Sequence, residues 1–246
     1  MDILLEILIY GSIHSITLAL MALGFALVYG TSRVPNFAHG ALYIINGFIV
    51  WSFLRAFGFN YFLSIVLAII AIGVIGALIY QFILIRVRGM AISEIIASYA
   101  IGLAILEGLR WGGFKGMTYT LPTFIRGTIF IAGVPVDLHR IVVLICGAAL
   151  VGFLWLFTHY TRIGLALRGM AQDERAALTL GIDSDRAAVI ALALGSALTG
   201  IAALTILPLG NITVKAGHDV LIFALAVCLV GGLGSWIGSV FAALVI

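Results

Sequence analysis

The sequence predicts an all-α, polytopic helical membrane protein with about seven transmembrane or re-entrant segments and an interruption after the first span. Three observations predict it. Hydrophobic residues fill 63% of the 246 positions and charged residues only 9%, with a mean hydropathy of +1.26. A soluble domain carries about 25% charged residues to face water, so this chain needs lipid as part of its solvent. The apolar residues also lie in continuous runs of about 20, the helix length that crosses a hydrocarbon core, without the alternation of a barrel strand. Finally, one polar island, Arg162–Arg186, separates two such runs.

In chain order the runs are Ile7–Tyr29, Ala41–Phe57, Tyr61–Ile85, Ile92–Trp111, Ile141–Phe157, Ala187–Leu207 and Val220–Ile246. The first follows Asp2 and Glu6 and lacks the basic start and small-residue cleavage site of a signal peptide, so it is read as a retained span. Arg33-Val-Pro-Asn-Phe-Ala-His-Gly40 then breaks the helix and is expected to dip into the membrane; the second run is short as a result. The loop 112–139 holds Pro122, Pro135 and the β-like stretch Thr128-Ile-Phe-Ile-Ala-Gly-Val-Pro135, which predicts a small hairpin over the mouth of a pathway. Gly231-Gly-Leu-Gly-Ser235 interrupts the last run. Gly73 with Gly76, and Gly195-Ser-Ala197 with Gly200, are small-residue faces suited to close helix packing. Asn36-Phe-Ala-His-Gly40 and Lys215-Ala-Gly-His-Asp219 form a faint echo after runs that cross in opposite directions, as in inverted repeats; matches this short fit chance equally well. The whole chain, 1–246, is read as one membrane domain.

The island carries eight charges: Arg162, Arg168, Asp173, Glu174, Arg175, Asp183, Asp185 and Arg186. At a bilayer centre they would cost roughly 20 kcal/mol or more, so the island sits in water or on a partner. Ile163, Leu167, Met170, Ala171, Ala177, Leu178 and Leu180 recur within it near helical spacing, which predicts an amphipathic helix that another protein grips; a merely solvated loop is the alternative. Alternation places Arg33, Arg86, Arg88 and the island on one side, read as cytoplasmic, and Arg55, Arg110, Lys115, Arg126, Arg140 and Lys215 on the other.

The net charge of +3 is explained by arginines flanking apolar runs, and no basic cluster with interleaved aromatics points to nucleic acid. Cys146 and Cys228 both lie inside apolar runs and are read as small packing residues rather than a disulfide or metal pair. Glu107 and Arg110 are spaced to pair on one helix face. His14 is expected to bond to a neighbouring helix, and neither Glu94 nor Glu107 stands mid-span, where a proton-coupled carrier needs a carboxylate. No catalytic or metal residues are assigned. Gly30-Thr-Ser32 runs into Arg33 rather than a protease-like glycine, and no His-Glu-x-x-His occurs. The two lysines, in Lys115-Gly116 and Lys215-Ala216, do not form a phosphate-binding P-loop, so any ATP that drives the protein is bound by another chain. Asn36 and His39 admit two readings: helix cap and interfacial residue, or lining of a solute path. The Gly231–Ser235 motif is read as either hinge or tight packing.

Three motifs in order carry a resemblance. Thr17-Leu-Ala-Leu-Met-Ala-Leu-Gly-Phe-Ala-Leu-Val-Tyr-Gly30 leads into Asn36–Gly40; the island follows with Arg162-Ile-Gly164, Arg168, Ala171-Gln-Asp173, Ala176-Ala177 and Leu180-Gly-Ile182; Val230-Gly-Gly-Leu-Gly-Ser235 with Gly238 closes the series. Together they resemble the branched-chain amino acid ABC-importer permeases over most of the chain. The resemblance implies a multi-pass subunit of the bacterial inner membrane, working with a sister permease, two cytoplasmic ATP-binding subunits and a periplasmic solute-binding protein. It implies an ATPase-coupling loop over 162–186 with Gly164, Arg168, Ala171, Asp173, Ala177, Gly181 and Ile182. From the reading of the residues themselves, a translocation path or gate is assigned to Asn36, Phe37, His39, Gly40, Gly231, Gly232, Gly234 and Ser235, beside the cap and packing readings above. Related members carry urea or short-chain amides, which stay open as solutes. Members usually continue past the glycine motif, whereas this sequence stops at Ile246 inside an apolar run. An ion-coupled carrier acting alone and an intramembrane enzyme are the competing classes.

Overall fold

A computed structural model describes residues 2–112, 119–131 and 133–246. Lys115, residues 113–118 of the loop 112–139, and Ala132 of the β-like stretch lie outside the described residues. The chain folds as helices α1 (Asp2–Ser32), α2 (His39–Arg55), α3 (Tyr61–Val87) and α4 (Ala91–Gly112), then a hairpin of β1 (Thr128–Ile131) and β2 (Val134–Asp137). It continues with α5 (Leu138–Tyr160), α6 (Arg162–Gln172), α7 (Glu174–Thr179), α8 (Ser184–Ile206), α9 (Val214–Gly231) and α10 (Trp236–Val245). Among the described residues six helices are long and apolar enough to cross a membrane: α1, α3, α4, α5, α8 with its 3-10 extension to Leu209, and α9. In hydrocarbon only internally hydrogen-bonded backbone is stable, which is why continuous apolar runs become helices.

The seven expected runs are therefore partly redrawn. The seventh is two helices, α9 and α10, and α9 begins at Val214 rather than Val220. Lys215, His218 and Asp219 had hidden its first turn, because Thr213 caps the helix and accepts from the Ala216 amide at 3.2 Å. The second run, α2, is only 17 residues long.

α2 is short because it starts deep in the bundle. Its first residue, His39, uses Nε2 to donate to the Met21 carbonyl at 2.8 Å. Met21 lies 12 residues before Arg33 on α1, about 18 Å along a helix rising 1.5 Å per residue. The stretch 34–38 thus turns back from the end of α1 and closes in a turn at Asn36–His39, where the His39 amide donates to the Asn36 carbonyl at 3.2 Å. The stretch therefore leads back into the bundle, to the level of the Met21 carbonyl. His39 is buried, not interfacial; its Nδ1 faces the Thr199 hydroxyl at 3.2 Å and its ring meets Phe25 edge-on.

α1 and α8 run antiparallel and cross where Gly24 meets Gly195; α2 and α9 do the same where Gly40 meets Gly217. A methyl group on Gly24 would overlap the Gly195 carbonyl oxygen, and one on Gly40 the Gly217 carbonyl oxygen. The crossing segments match in sequence, Ala22-Leu-Gly-Phe-Ala-Leu27 against Ala193-Leu-Gly-Ser-Ala-Leu198. α1 with α2, and likewise α8 with α9, is one long helix, a break and a second helix, and the two units meet at matching glycines, as inverted repeats do. The faint echo at Gly40 and Gly217 marks that contact. Gly76 packs against Ser196 and Leu192, and Gly200 against Ile72 and Asn46, as small-residue faces should.

Charged residues separate to two ends. The island, Arg33 and Arg88 meet at one end. At the other, Arg126 lines a cleft with Arg55, and Arg140 lies over the Tyr10 ring at 5.3 Å. The predicted hairpin is formed, with Thr128 opposite Asp137 and Ile131 opposite Val134. It is fixed by the Tyr10 hydroxyl donating to the Pro135 carbonyl at 2.5 Å. Buried His139 accepts from the Phe124 amide at 3.2 Å and donates to the Thr205 carbonyl at 2.9 Å, tying this loop to α8. Glu107 and Arg110 pair at 3.1 Å as expected. His14 does not behave as expected: it is exposed on α1 and makes no hydrogen bond among the described residues, because its side chain points away from the bundle. Cys146 and Cys228 are free thiols.

Gly40→Ala is expected to destabilise the protein at or above the upper end of the ~1–3 kcal/mol of an overpacked core, because backbone must move. Gly108→Ala, whose added methyl meets open space, should leave the thermal unfolding midpoint in detergent unchanged.

Candidate functional site

The island is an elbow of two short helices, and each joint is built by a specific residue. Thr161 starts α6 by accepting from the Gly164 amide at 2.9 Å. Gly164 itself sits against the Phe157 carbonyl, where a side chain would not fit. Asp173 ends α6 and caps α7, accepting from the Ala176 amide at 3.1 Å. α7 closes in a Schellman motif: the Ile182 amide donates to the Ala177 carbonyl at 3.1 Å and the Gly181 amide to the Leu178 carbonyl at 3.0 Å, with Gly181 at φ +83°. Asp183 then caps α8 by accepting from the Asp185 and Arg186 amides. Of the residues expected to couple, Gly164, Asp173, Gly181 and Ile182 shape the elbow, and Ala177 anchors it.

The elbow is two-faced. Leu167, Met170 and Ala177 are buried against the bundle. Ile163, Leu178 and Leu180 stand 46%, 47% and 82% exposed. The expected single apolar stripe is thus divided: Leu167, Met170 and Ala177 form an inward anchor, Leu178 and Leu180 form an outward ridge at the end of α7, and Ile163 stands exposed in the first turn of α6.

Arg168 and Ala171 line a cavity of about 320 Å³ together with Gly30 and Thr31 of α1 and Gly234 and Ser235 between α9 and α10. This cavity brings together the three sequence motifs. Its far wall is the glycine turn. Gly232 and Gly234 both take φ +89°, Gly234 packs on Gly30, and Gly231 touches the Gly238 backbone, so α9 and α10 form a tight hairpin. Ser235 caps α10 by accepting from the Gly238 amide at 3.0 Å.

The remaining residues assigned to a path or gate lie elsewhere. Asn36 accepts from the Ala38 amide at 3.0 Å, closing the turn before α2, and lines a crevice of about 20 Å³ beside Glu94 and Ser98. The Phe37 amide donates to the Ser98 hydroxyl at 3.2 Å. His39 and Gly40 are packed in the bundle as described. Asn36, Phe37, His39 and Gly40 therefore hold the re-entrant stretch in place, while Gly234 and Ser235 face the cavity.

Two arginines that sequence reasoning used only for sidedness grip the elbow. Arg33 donates to the Ala171 and Gln172 carbonyls at 2.5 and 3.2 Å. Its φ of +59° makes it the only non-glycine residue in the left-handed region among the described residues, at a cost of about 1–3 kcal/mol. Arg88 bonds Asp185 and, at 3.3 Å, Glu174. Burial works against its charge, but Tyr80, Asp185 and Glu174 outweigh that and raise its pKa above the ordinary arginine value. A π-helical turn, Tyr80–Leu84, brings the end of α3 to this contact, with the Tyr80 hydroxyl 3.4 Å from Asp185. Sequence reasoning also passed over Asn46, buried on α2: its Nδ2 donates to the Gly200 carbonyl at 3.0 Å, and its Oδ1 is without a partner. An asparagine inside an apolar run was the available signal.

A multi-pass bundle with helices that break inside it, and a polar elbow at one end, has the architecture of a membrane permease. A family model described as "Branched-chain amino acid transport system / permease component" matches residues 7–246, and the chain belongs to that family as a permease subunit. It is similar to the probable branched-chain amino acid transport permease protein LivH of Methanocaldococcus jannaschii, 29% identical over 239 residues, covering 90% of this chain and 72% of that protein. It is also similar to the high-affinity branched-chain amino acid transport system permease protein BraD of Pseudomonas aeruginosa, at 27% identity over 98% of this chain and 83% of that protein. With the LivH permease protein of Escherichia coli it shares 24% identity, over 94% and 79%. No solved structure matches the chain.

Gly181→Ala places a side chain at φ +83° and is expected to destabilise the end of α7 by about 1–2 kcal/mol. Faster amide exchange across residues 174–182, with the spans unaffected, is the expected readout.

Proposed function

We propose that this chain is the membrane subunit of an ATP-driven importer for branched-chain or related small amino acids, seated in the cell inner membrane. The carrying observation is the two-faced elbow, whose anchored side lines the cavity shared by α1 and the glycine turn and whose apolar ridge of Leu178 and Leu180 is left open outside the spans. A ridge of this kind suits a partner that grips it. The sequence has no phosphate-binding loop of its own, so that partner supplies the hydrolysis: a pair of ATP-binding subunits on the cytoplasmic side. A sister permease and a periplasmic solute-binding protein complete the assembly, as the resemblance implies. The names of the relatives favour a branched-chain solute.

In this reading, nucleotide-driven movement of the partner tilts α6 and α7 about Asp173. The tilt is felt directly at the cavity through Arg168 and Ala171, and by the glycine turn across it. Opening and closing of the contact between Gly30 and Gly234 then switches access at this end of the bundle.

In proteoliposomes holding the assembled transporter, Arg168→Glu and Asp173→Lys are expected to lower uptake and ATPase docking by about tenfold, the equivalent of 1.4 kcal/mol. Solute capture by the binding protein should be intact. Unchanged uptake in both variants would remove the coupling assignment. A thiol at Leu180→Cys should react with a membrane-impermeant maleimide in inside-out vesicles; reaction in intact cells would place the elbow outside and sink the scheme.

A further inference from the structure

We infer that Arg33 is the positioning residue that converts movement of the elbow into movement of the re-entrant stretch 34–38; this rests on the coupling role proposed above. Arg33 stands where three elements meet. It closes α1, it opens the stretch that climbs to α2, and its guanidinium bonds the last two carbonyls of α6. Those carbonyls lie at the end of a helix that the Asp173 kink stops, so they lack further helical partners and carry the negative end of its dipole. A guanidinium, with several donors in a rigid plane, meets two such oxygens at once.

The stretch beyond Arg33 has little slack. The Ser32 hydroxyl donates to the Val34 carbonyl at 3.0 Å, Pro35 fixes its own backbone, Asn36 closes a turn on Ala38, and Phe37 is held by Ser98. At its far end His39 is latched to α1 through Met21 and faces Thr199 of α8. A displacement of α6 at Gln172 therefore reaches His39 through a chain of short, directed contacts. The strained φ of Arg33 fits this role, since the backbone accepts an unfavourable conformation in order to aim the guanidinium at α6. Arg88 holds the residue on the other side of the kink, Glu174, so the pivot is gripped from two loops; only Arg33 leads into the stretch that starts α2.

The test uses the assembled transporter in proteoliposomes and reads ATP hydrolysed and solute taken up in the same sample. Arg33→Asn tolerates the left-handed backbone but removes the guanidinium. It is expected to assemble with the ATPase subunits and hydrolyse ATP at the unmodified rate while uptake per ATP falls about tenfold. Arg33→Lys, which keeps the charge and the donors on a slightly shorter side chain, should lie between. A coupling ratio unchanged in Arg33→Asn would overturn the inference. Loss of docking and uptake in parallel would also overturn it, showing Arg33 to be only a cap of α6. Failure of the underlying coupling role reads differently: Arg168→Glu and Asp173→Lys would then leave docking and uptake intact.

Discussion

Backbone touches backbone where Gly24 meets Gly195 and where Gly40 meets Gly217, and these two contacts fix the depth of the elements around them. Helices in lipid gain little from hiding apolar surface, because the lipid is equally apolar; close approach and internal hydrogen bonds hold them instead. With no side chain between them, α1 and α8 come near enough for His39 to reach the Met21 carbonyl and face Thr199 together. That latch lets α2 begin inside the bundle, and the non-helical stretch before it is tolerated because Asn36 and Ser98 meet its amides.

The elbow follows from that depth. Because α1 extends to Ser32 and the chain then turns back, Arg33 is left at the bundle's end with its guanidinium free to cap α6. The π turn of α3 delivers Arg88 to the opposite side of the Asp173 kink. The polar island is thereby fastened at its middle, with a buried apolar face on one side and an open ridge on the other. Such an arrangement can be pushed as a unit, and the cavity beside it is bounded by the residues that would feel the push.

Much of this was legible beforehand. Hydropathy predicted the spans, Pro35 and Gly40 predicted the broken helix, and the charges of the island predicted its exclusion from lipid. Asp173 and Gly181 were singled out from a motif, and the structure supplies a physical reason for each: one caps α7, the other takes the left-handed turn that ends it. Other features were hidden. Lys215 and Asp219 disguised the start of α9, since a polarity scale cannot tell a charged first turn from a loop. His14 looked deep by position alone, but depth along a helix says nothing about which side faces the bundle. Arg33 read as an ordinary flanking charge, because its partners are backbone carbonyls some 138 residues away.

The sequence by itself determined that this is a helical membrane protein, where its helices break, and which segment stays out of lipid. Those properties depend on the transfer cost of each stretch of chain and on local backbone chemistry, both of which a linear reading contains. Only the tertiary structure decided that the three motifs share one cavity, that α1 with α2 mirrors α8 with α9, and that Arg33 and Arg88 grip the same kink. These are contacts between residues far apart in the chain, several of them made through backbone oxygens and glycine surfaces that leave no trace in the side chains opposite them, and the carboxylates that meet Arg88 look in the sequence like any other charges of the island.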